Sequence, residues 1–334
     1  MTWTPEITTI NQKVQIGAES NTALGTVVPA GKVLQCFDFT WGIAGDISQY
    51  TPTGRKYIAE QEENTEWVDI TVGGDMDYNG VIYPLGSAMG AISPVNHGAS
   101  TTAKDWIFTP PVTGSIVPQT YTLQQGDAVR AHQVSYGVFT DFGYKGTRKD
   151  LTISGKMIAQ PITDGATLTA TPTEIALAPV VSKQINVYLD PTSGALGTTQ
   201  LLKVLSVDYS ISNLYGPLWV FNRANIGYTA HVDLMPKCSI KLKVEADAAG
   251  MALLGYLQSG TTYFLRVQAL GAVIDTPNSV NNTFQHDMAI KIGKPSTFSD
   301  DQGVFAIEWE CAIVEDSGWG KSQLFTVTNL ITAL

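Results

Sequence analysis

The sequence lacks the patterns that would assign it to a membrane or to a secretory route. It contains no run of roughly 18 apolar residues, so no membrane-spanning helix is expected. Residues 1–6 combine neither a basic patch nor an apolar core, which predicts that the chain does not begin with a signal peptide. The three cysteines, Cys36, Cys238 and Cys311, form no CxxC or Cys/His pair. We therefore expect reduced thiols, packed in the core of a protein made in the cytoplasm.

Charge is scarce and mostly negative. Asp, Glu, Lys and Arg make up 15% of the 334 residues, and the formal net charge is −10. A protein that grips nucleic acid neutralises phosphates with Lys and Arg, so this composition argues against that role. It does not exclude a surface past which DNA moves without binding. Both halves are acidic, with 10 basic against 16 acidic residues in 1–164 and 10 against 14 in 165–334.

Catalytic and metal-binding patterns are also missing, and we expect no enzymatic activity, cofactor or metal. The chain has no GxSxG motif, and its histidines show no HxH or HExxH spacing. Asp75, Asp77 and Asn79 match the first half of a calcium loop, but the twelfth position is Gly86 instead of Glu. A polar turn is the better interpretation of this segment. An active site assembled from scattered residues stays open at this point.

The residues that are abundant favour short β-strands joined by turns. Apolar residues make up 44% of the chain, and Gly, Thr, Val and Ser recur throughout. Alternation with a period of two is clear from Leu151 to Ala159 and again in residues 240–244. Each of these strands is predicted to bury one face and to leave the other polar.

Only residues 247–260 have the pattern of a helix. Asp247 is suited to the N-cap, and Gly260 is suited to the C-terminal end. The corresponding segment of the first half is predicted to be degenerate as a helix, because it contains Gly80 and Pro84. The apolar residues expected on the buried face of the clear helix are Met251, Leu254 and Leu257.

The chain repeats itself once, with similar segments in the same order in each half. The pairs predict a tandem duplication, with copies at 1–164 and 165–334 and a linker rich in Thr, Pro and Ala at 163–179. The first copy carries extra loop sequence at 90–118. The matched segments are Pro5–Ile7 with 172–175, 13–26 with 185–198, 33–46 with 204–216, 67–75 with 239–247, residues around His132 with those around His286, and 150–160 with 305–315.

Each copy is therefore predicted to be a β-sandwich or barrel with a short flanking helix, so the fold class is mainly β. A long loop joins two adjacent strands in each copy, at 46–66 and at 213–236. Loops of about 20 residues are uncommon in compact domains and are usually functional. The second loop is rich in aromatic residues, which is typical of an interface.

Several stretches resemble the major tail proteins of siphophages. They are LQQGDAVRAHQVSYGVFTDFGYKG, ITDGATLTATPTEIALAPV, VLSVDYSISNLYGPLWVFN and KLKVEADAAGMALL, which cover most of the chain after about residue 120. The order strand, long loop, strand, short helix and hairpin also resembles the tail-tube fold of long-tailed phages, which type VI secretion tubes share. None of these stretches is a catalytic signature, so the resemblance is one of overall pattern.

The resemblance implies a virion protein of the phage tail, made in the host cytoplasm, whose rings stack into a hollow tube for DNA. Family rings commonly hold six copies of the fold, so a duplicated chain would form a trimer with pseudo-sixfold symmetry. A tape measure protein and a tail terminator are the implied partners. An acidic inner wall would let DNA slide, although solubility of the free subunit explains the acidity equally well.

In the family the long loop contacts the next ring, which gives the candidate site residues of this chain. An alternative is that the aromatic residues cap the subunit's own core. The candidates are Tyr50, Arg55 and Tyr57 in the first loop and Tyr215, Trp219, Phe221 and Tyr228 in the second.

Two other functions compete with the tube. The first is another structural assembly, such as a capsid decoration, surface-layer, pilus-like or secretion-tube protein. The second is a carbohydrate-binding or hydrolytic tail component, because tryptophans stack on sugars. The tryptophans are scattered, without an obvious carboxylate pair beside them: Trp3, Trp41, Trp67, Trp106, Trp219, Trp309 and Trp319.

Overall fold

The computed structural model describes residues 9–221 and 226–334, and this part of the chain is mainly β, as predicted. It contains 21 strands and two α-helices. Trp3 and the Pro5–Ile7 segment of the internal repeat lie outside the described residues.

The first half of the chain combines a long hairpin with a buried helix. The helix follows the hairpin directly. In chain order the elements are β1 Lys13–Ala18, β2 Lys32–Val33, β3 Phe37–Tyr50, β4 Glu60–Asp75, α1 Ile82–Met89, β5 Val95–Asn96, β6 Lys104–Phe108, β7 Tyr121–Gly126, β8 Ala131–Gly146, β9 Leu151–Ala159, β10 Thr163–Ala166 and β11 Thr173–Glu174.

The second half begins after a linker and again places a helix between long strands. Its elements are β12 Ile185–Asp190, β13 Val204–Ser212, β14 Tyr215–Leu218, β15 Ala230–Asp233, β16 Lys237–Glu245, α2 Ala248–Ser259, β17 Tyr263–Asp275, β18 Val280–Pro295, β19 Ser299–Asp301, β20 Val304–Ile313 and β21 Gln323–Asn329.

The two halves pair their long strands in the same antiparallel order. The first half has the order β1-β7-β8-β9-β4-β3, and the second has β12-β17-β18-β20-β16-β13. Each of these six strands of the first half therefore has a counterpart in the second. β10 and β21 correspond as well, because each returns to pair with β8 or β18. The predicted boundary between residues 164 and 165 falls inside β10.

Alternation along the strands follows the prediction. In β9, Leu151 and Met157 are buried while Lys156 is exposed. In β16, Ile240 and Leu242 are fully buried. The buried faces of both sets of strands share one apolar core.

The prediction of a degenerate first helix is wrong. α1 is a regular helix, and all eight of its residues are buried. Gly80 precedes the helix and so does not weaken it. Pro84 lies in the first turn, where backbone N–H groups have no acceptor inside the helix, so its missing N–H costs little.

The second helix has the predicted ends but a different buried contact. Asp247 accepts hydrogen bonds from the backbone N–H groups of Ala249 and Gly250, and Gly260 adopts the left-handed conformation. The buried side chain is Leu253, whereas Leu254, expected on the buried face, is 38% exposed. α2 therefore lies on the surface of its half.

The shared Ala-Leu-Gly-Thr segments close equivalent turns on a carboxylate. Glu19, just after β1, accepts a hydrogen bond from the N–H of Gly25 at 2.8 Å. Asp190, at the end of β12, accepts one from the N–H of Gly197 at 2.9 Å. Both glycines have positive φ, 75° and 90°, a conformation that side chains disfavour. The repeated glycine is thus a turn requirement in both halves.

Both predicted long loops are hairpins instead. In the first half, β3 and β4 pair out to Tyr50 and Glu60, which leaves a turn of residues 51–59. In the second half, β14 and β15 form a short hairpin whose connection includes residues outside the described part. The extra sequence at 90–118 contains β5 and β6.

The linker between the halves is fastened to the first half. The Asp77 carboxylate accepts hydrogen bonds from the backbone N–H groups of Asn79, Gly80 and Ala178. The side-chain amide of Asn79 donates to the carbonyl of Ala176. The segment that resembled half a calcium loop therefore serves as a turn that holds the linker.

Candidate functional site

The candidate functional site consists of the strand edges through which the two halves join, and of the corresponding edges at the ends of the sheet. The C-terminal part of β8 pairs with β13 of the second half, with Gly143 opposite Ser210 and Lys145 opposite Asp208. Through this joint the long strands of both halves form one sheet, in the order β3-β4-β9-β8-β13-β16-β20-β18.

A buried aromatic cluster fills the joint beneath this pairing. The hydroxyl of Tyr144 lies 2.9 Å from Nδ1 of His286, and the hydroxyl of Tyr209 donates to Gln323 at 2.9 Å. The ring of Phe325 stacks on His286 with centroids 3.7 Å apart. The side chains come from β8, β13, β18 and β21, so both halves contribute.

Burial keeps the joint uncharged. Desolvation lowers the pKa of His286 to about 3, so the imidazole is neutral near pH 7. Desolvation also raises the pKa values of Tyr144 and Tyr209 well above their usual range. The cluster has the character of a structural core.

The two repeat histidines do not share an environment. His132 is 42% exposed at its side chain and lies 3.0 Å from Asp164, whereas His286 is fully buried. They lie on the corresponding strands β8 and β18, but their surroundings differ. His286 faces the joint, and His132 faces the surface.

A second seam between the halves comes from the extra sequence of the first half. β6 pairs with β21, with Trp106 opposite Val327. The indole N–H of Trp106 donates to Asn329 at 3.2 Å, and the Ser100 hydroxyl donates to Asp275. The insertion thus clamps the first half onto the second.

The strands that correspond to the joint are open at the two ends of the sheet. β13 pairs with β8, but within the described residues no strand pairs with the outer edge of β3, its counterpart. One edge of β8 pairs first with β7 and then with β13. The same edge of its counterpart β18 pairs with β17 as far as Ile290, and no described strand pairs with this edge at residues 291–295. Open strand edges are templates for pairing with another chain.

The exposed face of the joined sheet consists of small and polar side chains. Cross-strand neighbours Lys145, Asp208, Lys241 and Glu310 alternate in charge, and Lys145 lies 3.5 Å from Asp208. One row of neighbours crosses all eight strands: Asp38, Gly73, Ser154, Gly143, Ser210, Ser239, Ala312 and Lys291.

The first-loop candidates lie on a projecting hairpin. Tyr50 is 54% exposed and Tyr57 is 83% exposed. Arg55 is also exposed, in the turn between β3 and β4. The structure brings these three residues together at the tip.

The second-loop candidates divide into two groups. Tyr215 and Tyr228 are buried, because the β14–β15 hairpin folds back on the first half, where Tyr228 donates a hydrogen bond to the carbonyl of Tyr136. For these two residues the alternative of capping the subunit's own core fits better. Trp219 is half-buried with its ring 5.6 Å from Trp67, whereas Phe221 is fully exposed.

The other residues considered for chemistry are the cysteines, the tryptophans and the possible metal ligands. The three cysteines are free thiols, and Cys311 is buried. Trp106 and Trp309 are buried, and none of the six described tryptophans is exposed. The described residues contain no group of three or more His, Cys, Asp or Glu placed to hold a metal.

Sequence reasoning missed the open edges of β3 and β18. Strand pairing depends on which strands become neighbours in space, and no residue type in the sequence identifies an unpaired strand edge. The only sequence signal for these edges is the internal repeat, because the matched strands β3 and β13 have different neighbours.

In the described residues no helix has the length and apolar character needed to span a bilayer. No family model and no curated protein matches the chain.

Proposed function

We propose that this chain is a structural protein whose copies close into rings by head-to-tail strand pairing and whose rings stack into a hollow tube. The observation that carries the proposal is the joint between β8 and β13. The same pair of strands, in the form of β18 and β3, is open at the two ends of the sheet. Pairing β18 of one chain with β3 of the next repeats the internal joint between chains.

Such a contact is heterologous, because it joins two different surfaces. Heterologous contacts form closed rings when the rotation closes and filaments when it does not. A trimer would hold six equivalent halves around its axis. Three of its joints would be internal, and three would lie between chains.

The channel of the ring would be lined by the exposed face of the joined sheet, since its other face is covered by the core. Charges of both signs alternate on this face, whereas the sequence led us to expect an acidic inner wall. Alternating, mutually paired charges and hydroxyl groups offer a polyanion no cationic patch to bind. The proposed cargo is duplex DNA, and the tube is that of a phage tail.

This role places the protein in the virion and gives it no catalytic step. Its proposed partners are further copies of itself, with the tape measure protein inside the tube and a tail terminator at its end. The resemblance to siphophage tail proteins and the open edges support the same assembly on independent grounds.

Proline substitution at the open edge tests ring closure. Thr40→Pro introduces a pyrrolidine and removes a backbone N–H in the part of β3 that corresponds to Ser210 at the joint. We expect folded chains that no longer form rings by negative-stain microscopy and mass photometry. Ser48→Pro is the matched control, because it makes the same change eight residues further along β3, past the sheet.

The wild-type chain should give rings of three chains and hollow tubes. Rings of six chains would overturn the trimer, and a persistent monomer at high concentration would overturn the assembly itself. Thr40→Pro rings as abundant as those of the wild type would show that β3 is not the closing edge.

A further inference from the structure

The projecting hairpin lies at one end of the sheet, and a cavity lies at the other. β4 runs from the hairpin turn at Glu60 to Asp75, which pairs with Thr152 just after the β8–β9 turn. At about 3.4 Å per residue these ends are roughly 50 Å apart. The hairpin therefore cannot reach the far end of its own chain.

The rest of the chain supports the hairpin near its base, where the ring of Trp67 packs against Trp219 and the N–H of Glu66 donates to the carbonyl of Ile226. β9 pairs with β4 only from Val68 onward, so the last seven residues of the hairpin project about 24 Å past that pairing. A two-stranded ribbon in solvent is marginally stable on its own. Its tip nevertheless exposes Tyr50, Tyr57 and Ile58, the last to 49%. The stem is acidic, with carboxylates at Asp46, Glu60, Glu62, Glu63 and Glu66.

The cavity has the complementary character. It measures about 330 Å³ and lies between the β8–β9 turn, the end of the linker and the segment that leads into β13. The described residues that line it include no Asp or Glu. Its walls include Leu151, Ile185, Val187, Leu201 and Leu205, and its cationic side chains are Arg148, Lys183 and Lys203.

Two lysines at the cavity are free to bind a carboxylate. Arg148 is paired with Asp301, and Lys203 is paired with Glu245 and Asp247. Lys183 in the cavity wall and Lys149 in the adjoining turn have no carboxylate partner among the described residues. An incoming acidic group would find these two ammonium groups unpaired.

We propose that the tip of the β3–β4 hairpin of one chain docks in this cavity of a second copy of the chain. Tyr57 and Ile58 contact the apolar walls, and the carboxylates of Glu60 and Glu62 pair with Lys149 and Lys183. Apolar contact supplies the burial, and the opposite charges set the orientation. The proposal rests on the proposed function, because it assigns the contact between stacked rings.

In the part of the chain that the structure describes, one hairpin projects into solvent, and the cavity described above lies at the opposite end of the sheet. The corresponding hairpin of the second half folds back on the first half, and the cavity is formed where the linker meets the joint. A ring of three chains thus makes three such contacts with the next ring, although it contains six halves. Because the two surfaces lie at opposite ends of the sheet, the contact repeats without limit along the axis.

Charge reversal tests the docking. E60K/E62K and K149E/K183E are each expected to leave rings intact and to raise the protein concentration needed for tube growth roughly tenfold or more. The two double variants combined in one chain should restore tubes. The control K13E/K237E reverses two exposed lysines at the hairpin end of the sheet and should grow tubes like the wild type.

Cross-linking gives a readout that needs no ring. In a chain carrying Tyr57→Cys and Leu202→Cys, oxidation should produce a ladder of dimers, trimers and longer species on a denaturing gel. Each single variant should give dimers at most. Leu202 lines the cavity and is 63% exposed, so its substitution disturbs no core contact.

The outcomes separate the docking from ring formation. Rings without a ladder, together with tubes of normal length from E60K/E62K, would overturn the docking and leave the ring proposal standing. A ladder from a chain that never forms rings would overturn the ring proposal and leave the docking standing. If a chain that carries both E60K/E62K and K149E/K183E failed to recover tube growth, that result would also count against the docking.

Discussion

The two halves of the chain share their order of long strands but differ in the segments between those strands. In the first half the β3–β4 hairpin projects into solvent, and α1 is wholly buried. In the second half the β14–β15 hairpin folds back, and α2 lies on the surface. The strands that the halves share carry the joint, and the connections that differ have different neighbours.

The joint itself explains why the two halves are not interchangeable. Within a chain it has two seams, β8 with β13 and β6 with β21. β6 belongs to the extra sequence of the first half, and the second half passes from α2 to β17 without a counterpart. Between the chains of the proposed ring only the β18–β3 seam would be left. The internal joint is therefore expected to be the stronger of the two.

The largest expected effect separates the two helices. Leu85→Ala in α1 removes a side chain that is fully buried, and it should lower the free energy of unfolding by about 2–5 kcal/mol. Leu254→Ala in α2 removes one that is 38% exposed and should cost about 0.5 kcal/mol. Urea unfolding of the two variants measures the difference. Equal costs would mean that both helices carry the same share of the core.

The sequence predicted the repeated parts better than the unique ones. Alternation in residues 151–159 and the caps Asp247 and Gly260 predicted local structure, because period and capping depend on neighbours in the chain. Segments 13–26 and 185–198 were predicted to be equivalent, and in the structure both end in the same kind of turn. The carboxylates that hold those turns, Glu19 and Asp190, were not predicted, since they occupy positions offset by one in the two segments.

Burial was predicted less well, because it depends on what packs above a segment. α1 looks weak by propensity, yet it is covered on every side, and tertiary packing outweighs propensity. Tyr215 and Tyr228 look like interface residues by composition, yet their hairpin folds back and buries them. At the candidate site, the exposed tip with Tyr50 and Tyr57 was within reach of the sequence. Its cavity was not, because the cavity forms only where distant segments meet.

The next expected effect is a pH dependence of stability that distinguishes His286 at the joint from His132 at the surface. His286 keeps a pKa of about 3 in the folded chain, against about 6.5 for an ordinary imidazole, so only the unfolded chain binds its proton between these values. Stability is thus complete above pH 6.5 and is lost as the pH falls, by about 1.4 kcal/mol per unit. At pH 5 the loss amounts to about 2 kcal/mol. His286→Gln should remove this dependence, while His132→Gln, at an exposed site, should leave it unchanged.

At the joint His286 faces the hydroxyl of Tyr144, the ring of Tyr209 and the amide of Gln323. None of these groups changes its charge between pH 5 and pH 7, because desolvation raises the pKa values of both tyrosines well above their usual range. The nearby Asp287 is paired with Arg266. Urea unfolding at pH 5 and pH 7 measures the change. A wild-type slope that persists in His286→Gln would place the titrating group elsewhere and remove the contrast between joint and surface.

The smallest expected effect compares the two equivalent turns. Gly25 and Gly197 both have positive φ, so an alanine at either costs about 1 kcal/mol in backbone strain. At Gly25 the new Cβ would lie 2.7 Å from the ring of buried Tyr136, and at Gly197 it would lie 2.6 Å from the terminal Nη1 of Arg266. A guanidinium at the end of a flexible side chain can move aside, whereas a packed ring cannot. Gly25→Ala should therefore be less stable than Gly197→Ala by about 1 kcal/mol in urea unfolding. If the order were reversed, the pairing of Arg266 with Asp287 would have to be the more rigid support, and the second half would hold its turn more tightly than the first.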